Sequence, residues 1–220
     1  MKRLGYLLAM LASMAVAETW AAAPEPSGLD RRRDVVRYGI ESELMELVTA
    51  LQNEGQDELN TELLAVLTES RSPRLREAVL GFFTAREWPD AAREAAEILA
   101  RRDLDSARVV NAALAYLSAV RAQEGLAEAR KIVDARETQF LPQAIHMLGR
   151  TGGQADAEIL LSMYASEEAT DALRQDVIQA LGELGSKAAV DSLLQALDDA
   201  EVRMATRVFA AEALGKIGDA

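Results

Sequence analysis

The sequence predicts an all-α protein, a right-handed α-solenoid of about six helix-pair repeats. Its composition favours helices over strands, because Ala and Leu dominate and aromatic residues make up only 5%. Apolar residues recur with a period of about 33 residues, which is typical of repeat architectures. Within each period they follow the i, i+3, i+4 spacing that makes one stripe on a helix.

Residues 1–23 have the pattern of a secretory signal peptide. A basic start precedes an apolar run, residues 4–17, that is too short for a typical transmembrane helix. Two Ala-x-Ala sites follow, ending at Ala17 and Ala23, and cleavage after Ala17 is favoured because Pro24 follows the second site. An uncleaved anchor or a buried helix is the alternative interpretation.

This N-terminal pattern predicts an exported protein, periplasmic or secreted, with no stable membrane insertion after signal cleavage. Residues 24–30 resemble a linker, because two Pro and one Gly interrupt the chain there. The repeats then occupy residues 31–220. The cluster Arg31-Arg32-Arg33 at their start is flanked by Asp30 and Asp34, which indicates a solvated helix start.

A Leu or Phe anchor marks the first helix of each repeat. The residues three and four positions before each anchor are apolar as well, so the three positions form one stripe on a helix. This pattern predicts six first helices with a buried face. The anchors are Leu51, Phe83, Leu117, Leu148, Leu181 and Leu214.

A second stripe, at i, i+3, i+4 and i+7, follows the first in five repeats, and Arg130 and Asn60 are the polar residues that interrupt it. Its clearest instance is Val190, Leu193, Leu194 and Leu197. Each repeat is therefore predicted to be helix, turn, helix, and such short pairs bury their faces by stacking. The predicted turns are Gly55, Trp88-Pro89, Gly125, Gly152-Gly153 and Gly185-Ser186.

Two C-terminal segments closely resemble the short bacterial HEAT-like repeat, whose pattern runs V-R-x-x-A-A-x-A-L-G-x-I-G-D. They are RQDVIQALGELG at 174–185 and RVFAAEALGKIGD at 207–219, and LGRTG at 148–152 matches in part. The Arg of the motif stands at three of the six repeats. It is present as Arg76, Arg174 and Arg207 and replaced by Leu44, Val110 and Leu141.

The resemblance implies an α-solenoid over about 190 residues and a surface that binds a protein or presents a ligand. It implies no particular reaction. Relatives of this class include phycobilin-chromophore lyases and many exported proteins without an assigned function.

The charge and the missing Cys exclude several functional classes. A net charge of −12 repels the phosphate backbone of nucleic acids, so we expect no nucleic-acid partner, including one of the kind that a HEAT-like glycosylase would bind. The absence of Cys excludes disulfides, thiolate metal sites, a Cys nucleophile and a lipoprotein anchor.

The residues that enzymes require are also scarce. His146 is the one His in the chain, and its neighbours in the pattern predict a surface position on a helix rather than a ligand or a base. The sequence contains no G-x-S-x-G, G-x-G-x-x-G or G-x-x-x-x-G-K-[ST] motif. We therefore expect a protein without catalytic residues, metal ligands or cofactor, and we expect Trp88 and the pair Phe82-Phe83 to belong to the core.

The leading hypothesis is a scaffold or adaptor that binds another protein along the face where successive second helices line up. The side chains predicted to form this face are acidic in sum, which favours a partner with a basic segment. A merely solvated face is the plainer alternative, and a carrier or lyase-like enzyme with a concave pocket is the second functional hypothesis. The predicted partner-binding residues are Glu62, Arg93, Glu94, Glu97, Glu128, Lys131, Glu158, Asp191, Ser192 and Gln195.

The repeat pattern stops in the middle of a unit, after the first helix of the sixth pair. Val208, Leu214 and Ile217 are therefore expected to leave some apolar surface open. Either further repeats follow in the natural chain, which we favour, or this edge pairs with a partner or with a second copy of the chain.

Overall fold

The structure is a computed structural model, and it describes residues 27–218. Within this range the chain forms twelve α-helices and three short 3-10 turns, and no strand. The predicted signal peptide and the first part of the predicted linker lie outside the described residues. No helix in the described part of the chain is long and apolar enough to cross a membrane.

The helices are α1 (Gly28–Tyr38), α2 (Glu41–Glu54), α3 (Asn60–Glu69), α4 (Pro73–Arg86), α5 (Ala92–Ala100), α6 (Ala107–Ala119), α7 (Leu126–Asp134), α8 (Leu141–Thr151), α9 (Gln154–Tyr164), α10 (Asp171–Glu183), α11 (Val190–Asp198) and α12 (Met204–Gly218). The contacts of the chain divide between Arg32 and Arg33, inside α1, and the residues from Arg33 onward form one compact unit. Helix α1 begins inside the segment predicted as a linker and has no buried residue.

The even-numbered helices α2 to α12 are the six first helices, and the odd-numbered helices α3 to α11 are the five second helices. Each first helix packs against the first helix of the next repeat. Each second helix packs chiefly against the first helix of the following repeat. This sequential packing is that of a HEAT-like α-solenoid and confirms the predicted fold class.

The predicted stripe of the first helices forms the core. Five of the six anchors are buried, and the sixth, Leu214, is half-buried. In the second helices the positions i and i+3 are mostly buried, whereas the position i+4 is not. Leu194, at that position in α11, is 47% exposed. The i+4 position lies at the edge of the stripe, which explains why Arg130 is tolerated there.

Phe82 and Phe83 belong to the core, as predicted, and both are fully buried. Trp88, predicted to belong to the core as well, is half-buried and packs at the edge of the core, with its ring centroid 4.6 Å from that of Phe83. The buried hydroxyl of Tyr116 donates to the carbonyl of Trp88 at 2.7 Å and accepts from the amide of Ala91 at 3.1 Å. Burial raises the pKa of Tyr116 well above its usual value, so this hydroxyl remains protonated and keeps the turn after α4 in place.

Three first helices begin with the same cap at the same repeat position. The hydroxyls of Ser72, Ser106 and Thr170 each accept a hydrogen bond from the backbone amide three residues later. Each cap satisfies a donor that the first turn of a helix otherwise leaves without a partner.

Four first helices end with the same left-handed turn, four residues after the anchor. Gly55 (φ 67°) and Gly185 (φ 66°) occupy this position in two repeats, while Glu87 (φ 48°) and Arg121 (φ 52°) occupy it in two others. In each case the next amide donates to the carbonyl of the anchor, which is the hydrogen bond of a Schellman motif. The turn predicted at Gly125 is therefore made at Arg121, and Gly125 stands just before α7.

The glycine that follows the anchor permits close contact between first helices. A Cβ on Gly149 would lie 2.6 Å from Cα of Ala180, and one on Gly182 would lie 2.8 Å from Cα of Ala213. The backbones of α8, α10 and α12 therefore approach one another directly. At the equivalent Gly215 a Cβ would meet nothing within 4 Å among the described residues.

The last helix leaves only part of its apolar surface open. Val208 was predicted to be open to solvent and is 49% exposed, and Met204 on the same helix is 72% exposed. Ile217 was also expected at the open edge, but it is buried. It faces inward because α11 packs on the same helix.

Candidate partner-binding surface

Charge is distributed unequally between the two sets of helices. The five second helices contain ten carboxylate and three basic side chains, which gives them a net charge of −7. The six first helices contain nine carboxylate and eight basic side chains, a net charge of −1. The acidic character of the protein is thus concentrated on the second helices.

All ten residues of the predicted partner-binding set lie on second helices. Six are exposed and four are half-buried. The exposed residues are Arg93, Glu97, Lys131, Glu158, Asp191 and Gln195, and the half-buried residues are Glu62, Glu94, Glu128 and Ser192. We call these ten residues the second-helix surface.

Several members of this surface are held by ion pairs. Glu62 accepts from Nε of Arg33 at 3.0 Å. Glu97 lies between Arg93 and Arg101, each one helical turn away, at 3.4 and 3.2 Å. These carboxylates have part of their charge compensated within the protein, whereas Glu158 and Asp191 form no ion pair with any residue from 27 to 218.

Arg102 connects two neighbouring second helices. Its guanidinium donates to Glu128 on α7 at 3.1 Å, to Glu137 at 2.6 Å and to the carbonyl of Leu99 on α5 at 3.2 Å. Hydrogen bonding to Arg102 lowers the pKa of Glu137 below its usual value. The half-buried Glu128 therefore serves the packing of α5 and α7 in addition to the surface charge.

A groove runs between α9 and α11 and forms an open cavity of about 430 Å³. Ser192 and Gln195 of the second-helix surface line it, together with Tyr164 at the end of α9. An ion pair between Arg203 and Asp171, at 2.8 Å, borders the groove. The lining is mainly polar, and the volume falls in the usual range of binding sites.

A smaller cavity, about 90 Å³, lies between α3 and α5. Glu94 and Glu97 line it together with Arg76 and Arg101. The buried Oε2 of Glu94 accepts no hydrogen bond from a described residue. The structure therefore places four of the ten predicted residues in grooves between neighbouring second helices.

The Arg of the repeat motif positions the second helices. Arg76, Arg174 and Arg207 each donate to a backbone carbonyl at the end of the preceding second helix, those of Leu67, Ser166 and Leu197 at 3.2, 3.2 and 2.9 Å. The carbonyls of Leu67 and Leu197 stand in the last turn of their helices, where carbonyls lack intrahelical donors, so the guanidinium caps the helix. Ser166 lies just beyond α9, and its carbonyl also accepts from the amide of Ala169. In the sequence this Arg is recognisable only as a motif residue, because its acceptor belongs to another part of the chain.

Arg130 and Asp156 join α7 to α9. The guanidinium donates to both carboxylate oxygens, at 2.7 and 2.9 Å, and the carboxylate also accepts from the amide of Gly153 at 2.8 Å. Asp156 is fully buried, and these hydrogen bonds, that of Arg130 foremost, lower its pKa below the usual value. Arg130, which interrupts the apolar stripe in the sequence, thus links two neighbouring repeats. We call the Arg130–Asp156 pair the inter-repeat clamp.

His146 occupies a half-buried position on α8. Its Nδ1 lies 3.5 Å from Oε2 of Glu183 on α10, without the geometry of a hydrogen bond. Burial raises the pKa of the neighbouring Asp176, and the charge of His146 opposes this shift. His146 thus stands on the surface of a helix, as its pattern predicted, and α10 covers one side of the imidazole.

The stacked helix pairs, their recurring caps and the returning Arg define the protein as a HEAT-like α-solenoid. The family model of the spirochaete HEAT repeat protein matches residues 36–220. The chain belongs to this family. Comparison with curated proteins finds no match. HEAT repeats generally mediate protein–protein interaction, so family and fold make this chain a helical repeat scaffold for protein interaction.

Proposed function

We propose that this scaffold is a non-catalytic, exported adaptor that binds a basic segment of another protein on its second-helix surface. The observation that carries the proposal is the concentration of negative charge on the second helices, −7 against −1 on the first helices. Complementary charge speeds association and orients a partner. Unpaired carboxylates such as Glu158 and Asp191 are available for a partner's Lys and Arg side chains.

The groove between α9 and α11 supplies a place for the partner's side chains to enter. It is open and mainly polar, unlike the enclosed apolar pockets that hold most small ligands. This character supports a protein segment as the occupant. Its lining includes Ala196 and Val202 as well as the carboxylates of Asp199 and Glu201, so apolar and charged contacts are available side by side.

The binding experiment reverses charge on one set of helices at a time. Glu158→Lys with Asp191→Lys changes the second helices, and Glu46→Lys with Glu212→Lys makes the same change in charge on the first helices. All four residues are exposed. Proteins captured from an envelope extract by each variant are identified by mass spectrometry, and the affinity of the captured partner is then measured with purified protein.

We expect the second-helix variant to lose the partner and the first-helix variant to retain it. Equal loss in both variants would show that net charge alone governs capture. Retention by both variants would remove the second-helix surface from consideration.

Export is part of the same proposal and rests on the basic start and apolar run within residues 1–23. We infer cleavage after Ala17, so the mature chain begins at Glu18. Sequencing the N-terminus of the protein from a periplasmic or medium fraction tests this. An intact N-terminus in the cytosolic fraction would contradict export.

A further inference from the structure

A second cavity of about 480 Å³ lies on a different part of the repeats, at the C-terminal ends of the first helices. Three cations from three different repeats line it: Arg121 after α6, Arg150 at the end of α8 and Lys216 on α12. Glu183, at the end of α10, is the one carboxylate in the lining. The lining thus has a net charge of +2 in a chain whose total is −12. We call it the turn-edge cavity.

The guanidinium groups of the two arginines in the turn-edge cavity have no partner among residues 27 to 218. Most arginines in this range pair with carboxylates, but the side chains of Arg121 and Arg150 form no ion pair or hydrogen bond there. Cations at helix C-termini can simply offset the helix dipole. That role does not require them to converge on one open cavity.

Arg121 also stands at a position that disfavours a side chain. Its φ is 52°, and the equivalent positions in three other repeats are Gly55, Glu87 and Gly185. A non-glycine residue in the left-handed region costs stability, and such residues concentrate at functional sites. The side chain of Arg121 therefore has a local cost that its packing does not offset, since it is exposed.

The other groups of the cavity leave room for an anion. Glu183 is drawn toward His146 and Lys216, with contacts of 3.5 and 3.8 Å. Gly182 and Gly185 present only backbone to the cavity. The guanidinium groups can each donate two parallel hydrogen bonds to the oxygens of a carboxylate, the paired geometry that arginine favours.

We propose that the turn-edge cavity binds a carboxylate-rich segment of a protein partner, with Arg121 and Arg150 as the ligating groups. Isolated carboxylates suit this site better than a nucleic acid or an anionic membrane, because the overall charge of −12 and Glu183 repel dense arrays of negative charge. The cavity is open, so it suits a peptide that lies across it rather than an enclosed small ligand. This surface goes beyond the acidic second-helix surface and is opposite to it in charge.

The test measures binding of a ten-residue peptide of alternating Glu and Gly, carrying an uncharged fluorophore, by anisotropy at low salt. The double variant Arg121→Gln with Arg150→Gln removes the proposed ligands. Its control is Arg37→Gln with Arg71→Gln, an equal change in charge at two exposed arginines without ion pairs among the described residues. We expect binding about tenfold weaker in the first variant and within about twofold of wild type in the control.

A second pair of variants separates binding from folding. Arg121→Gly and Glu87→Gly both relieve a left-handed residue at the same repeat position, so both are expected to raise Tm. Only Arg121→Gly should weaken peptide binding. A variant that is more stable and binds less well has lost a ligand and not its fold.

Three results would overturn the proposal: no binding of the peptide by wild type, equal weakening in the arginine pair and its control, or tighter binding of an oligonucleotide or of anionic vesicles through the same arginines. None of these results bears on the second-helix surface, because the variants that test it lie on α9 and α11.

Discussion

Individual residues in this protein show how tertiary contacts change the meaning of a sequence position. Arg130 interrupts an apolar stripe, yet it is the partner of the fully buried Asp156. Leu194 completes the same stripe in the next repeat but one, yet it is 47% exposed. Both residues stand at the edge of the helix face, where the neighbouring repeat decides whether a side chain is covered.

The first prediction at this scale compares Leu181→Ala with His146→Ala. Leu181 is 1% exposed in the central stack, so its truncation leaves a cavity and should cost about 2–5 kcal/mol of unfolding free energy. His146→Ala should cost less than about 0.5 kcal/mol, because the imidazole is half-buried and its contact with Glu183 lacks hydrogen-bond geometry. Denaturant titration measures both, and the reverse order would show that the repeat register is wrong.

The second prediction concerns the pH dependence due to Asp156. Its pKa is lowered in the folded protein, so its contribution is complete above the unfolded pKa of about 3.9 and is lost as pH falls through the lower folded value. Wild type should therefore be more stable than Asp156→Asn by a constant amount above about pH 5, and the difference should shrink below about pH 4.

Thermal melts of both proteins between pH 3 and 7 measure this difference. Asp57→Asn is the control. The two carboxylate oxygens of Asp57 accept from Nε and Nη2 of Arg86, the same paired geometry, but Asp57 is exposed. Its effect should be the smaller, because water screens the pair. A difference between wild type and Asp156→Asn that persists unchanged at pH 3 would mean that the carboxylate charge is not what stabilises the clamp.

At the scale of helices and turns, the same devices recur at fixed repeat positions. A hydroxyl cap begins three first helices, a left-handed residue ends four of them, and an Arg returns to cap three second helices. Where Val110 replaces the motif Arg, Arg102 supplies a guanidinium to the same end of the preceding helix, at the carbonyl of Leu99. An arginine side chain therefore caps the end of this second helix too, although it comes from a different position in the repeat.

The third prediction is that Glu87→Gly stabilises the protein. Glu87 ends α4 with φ 48°, where a Cβ is disfavoured, so glycine should raise the unfolding free energy by about 0.5–1 kcal/mol after its greater unfolded-state entropy is counted. The opposite change, Gly55→Ala at the equivalent turn, should lower stability by about 1–2 kcal/mol. Urea titrations in which both substitutions shift stability in the same direction would contradict this account of the turn.

At the scale of the whole repeat array, the first helices form the continuous core and the second helices contain most of the charge. Close backbone contact between α8, α10 and α12 depends on glycine next to the anchor. Grooves separate the second helices, and the first helices line a cavity at their C-terminal ends. The two proposed binding surfaces are thus built from different helices of each pair.

The fourth prediction tests the role of close contact in this array. Gly149→Ala should destabilise the protein by about 1–3 kcal/mol, because the new Cβ would lie 2.6 Å from Cα of Ala180 and the two helices must move apart. Gly215→Ala, at the same repeat position of α12, should stabilise it by about 0.5–1 kcal/mol, because alanine is the better helix former and nothing described lies within 4 Å. Calorimetry of the two variants should show opposite shifts in Tm, and a loss of stability in both would place a neighbour over Gly215.

The sequence by itself determined the fold class, the register of the six first helices and the helices on which the ten candidate residues lie. It did so because the period of about 33 residues and the helical spacing of apolar residues are local properties of the chain. The anchors Leu51 to Leu181 are buried as their pattern predicted. The same local information placed the turns at Gly55 and Gly185.

Only the tertiary structure decided which polar residues meet. The acceptor of Arg207 is a carbonyl on the preceding helix, the partner of Arg130 lies 26 residues away, and Arg121 and Arg150 converge from two different repeats. Such encounters depend on the distance and angle between neighbouring helices, which follow from the packing of many side chains and not from one position in a repeat. The groove between α9 and α11 and the turn-edge cavity arise in the same way.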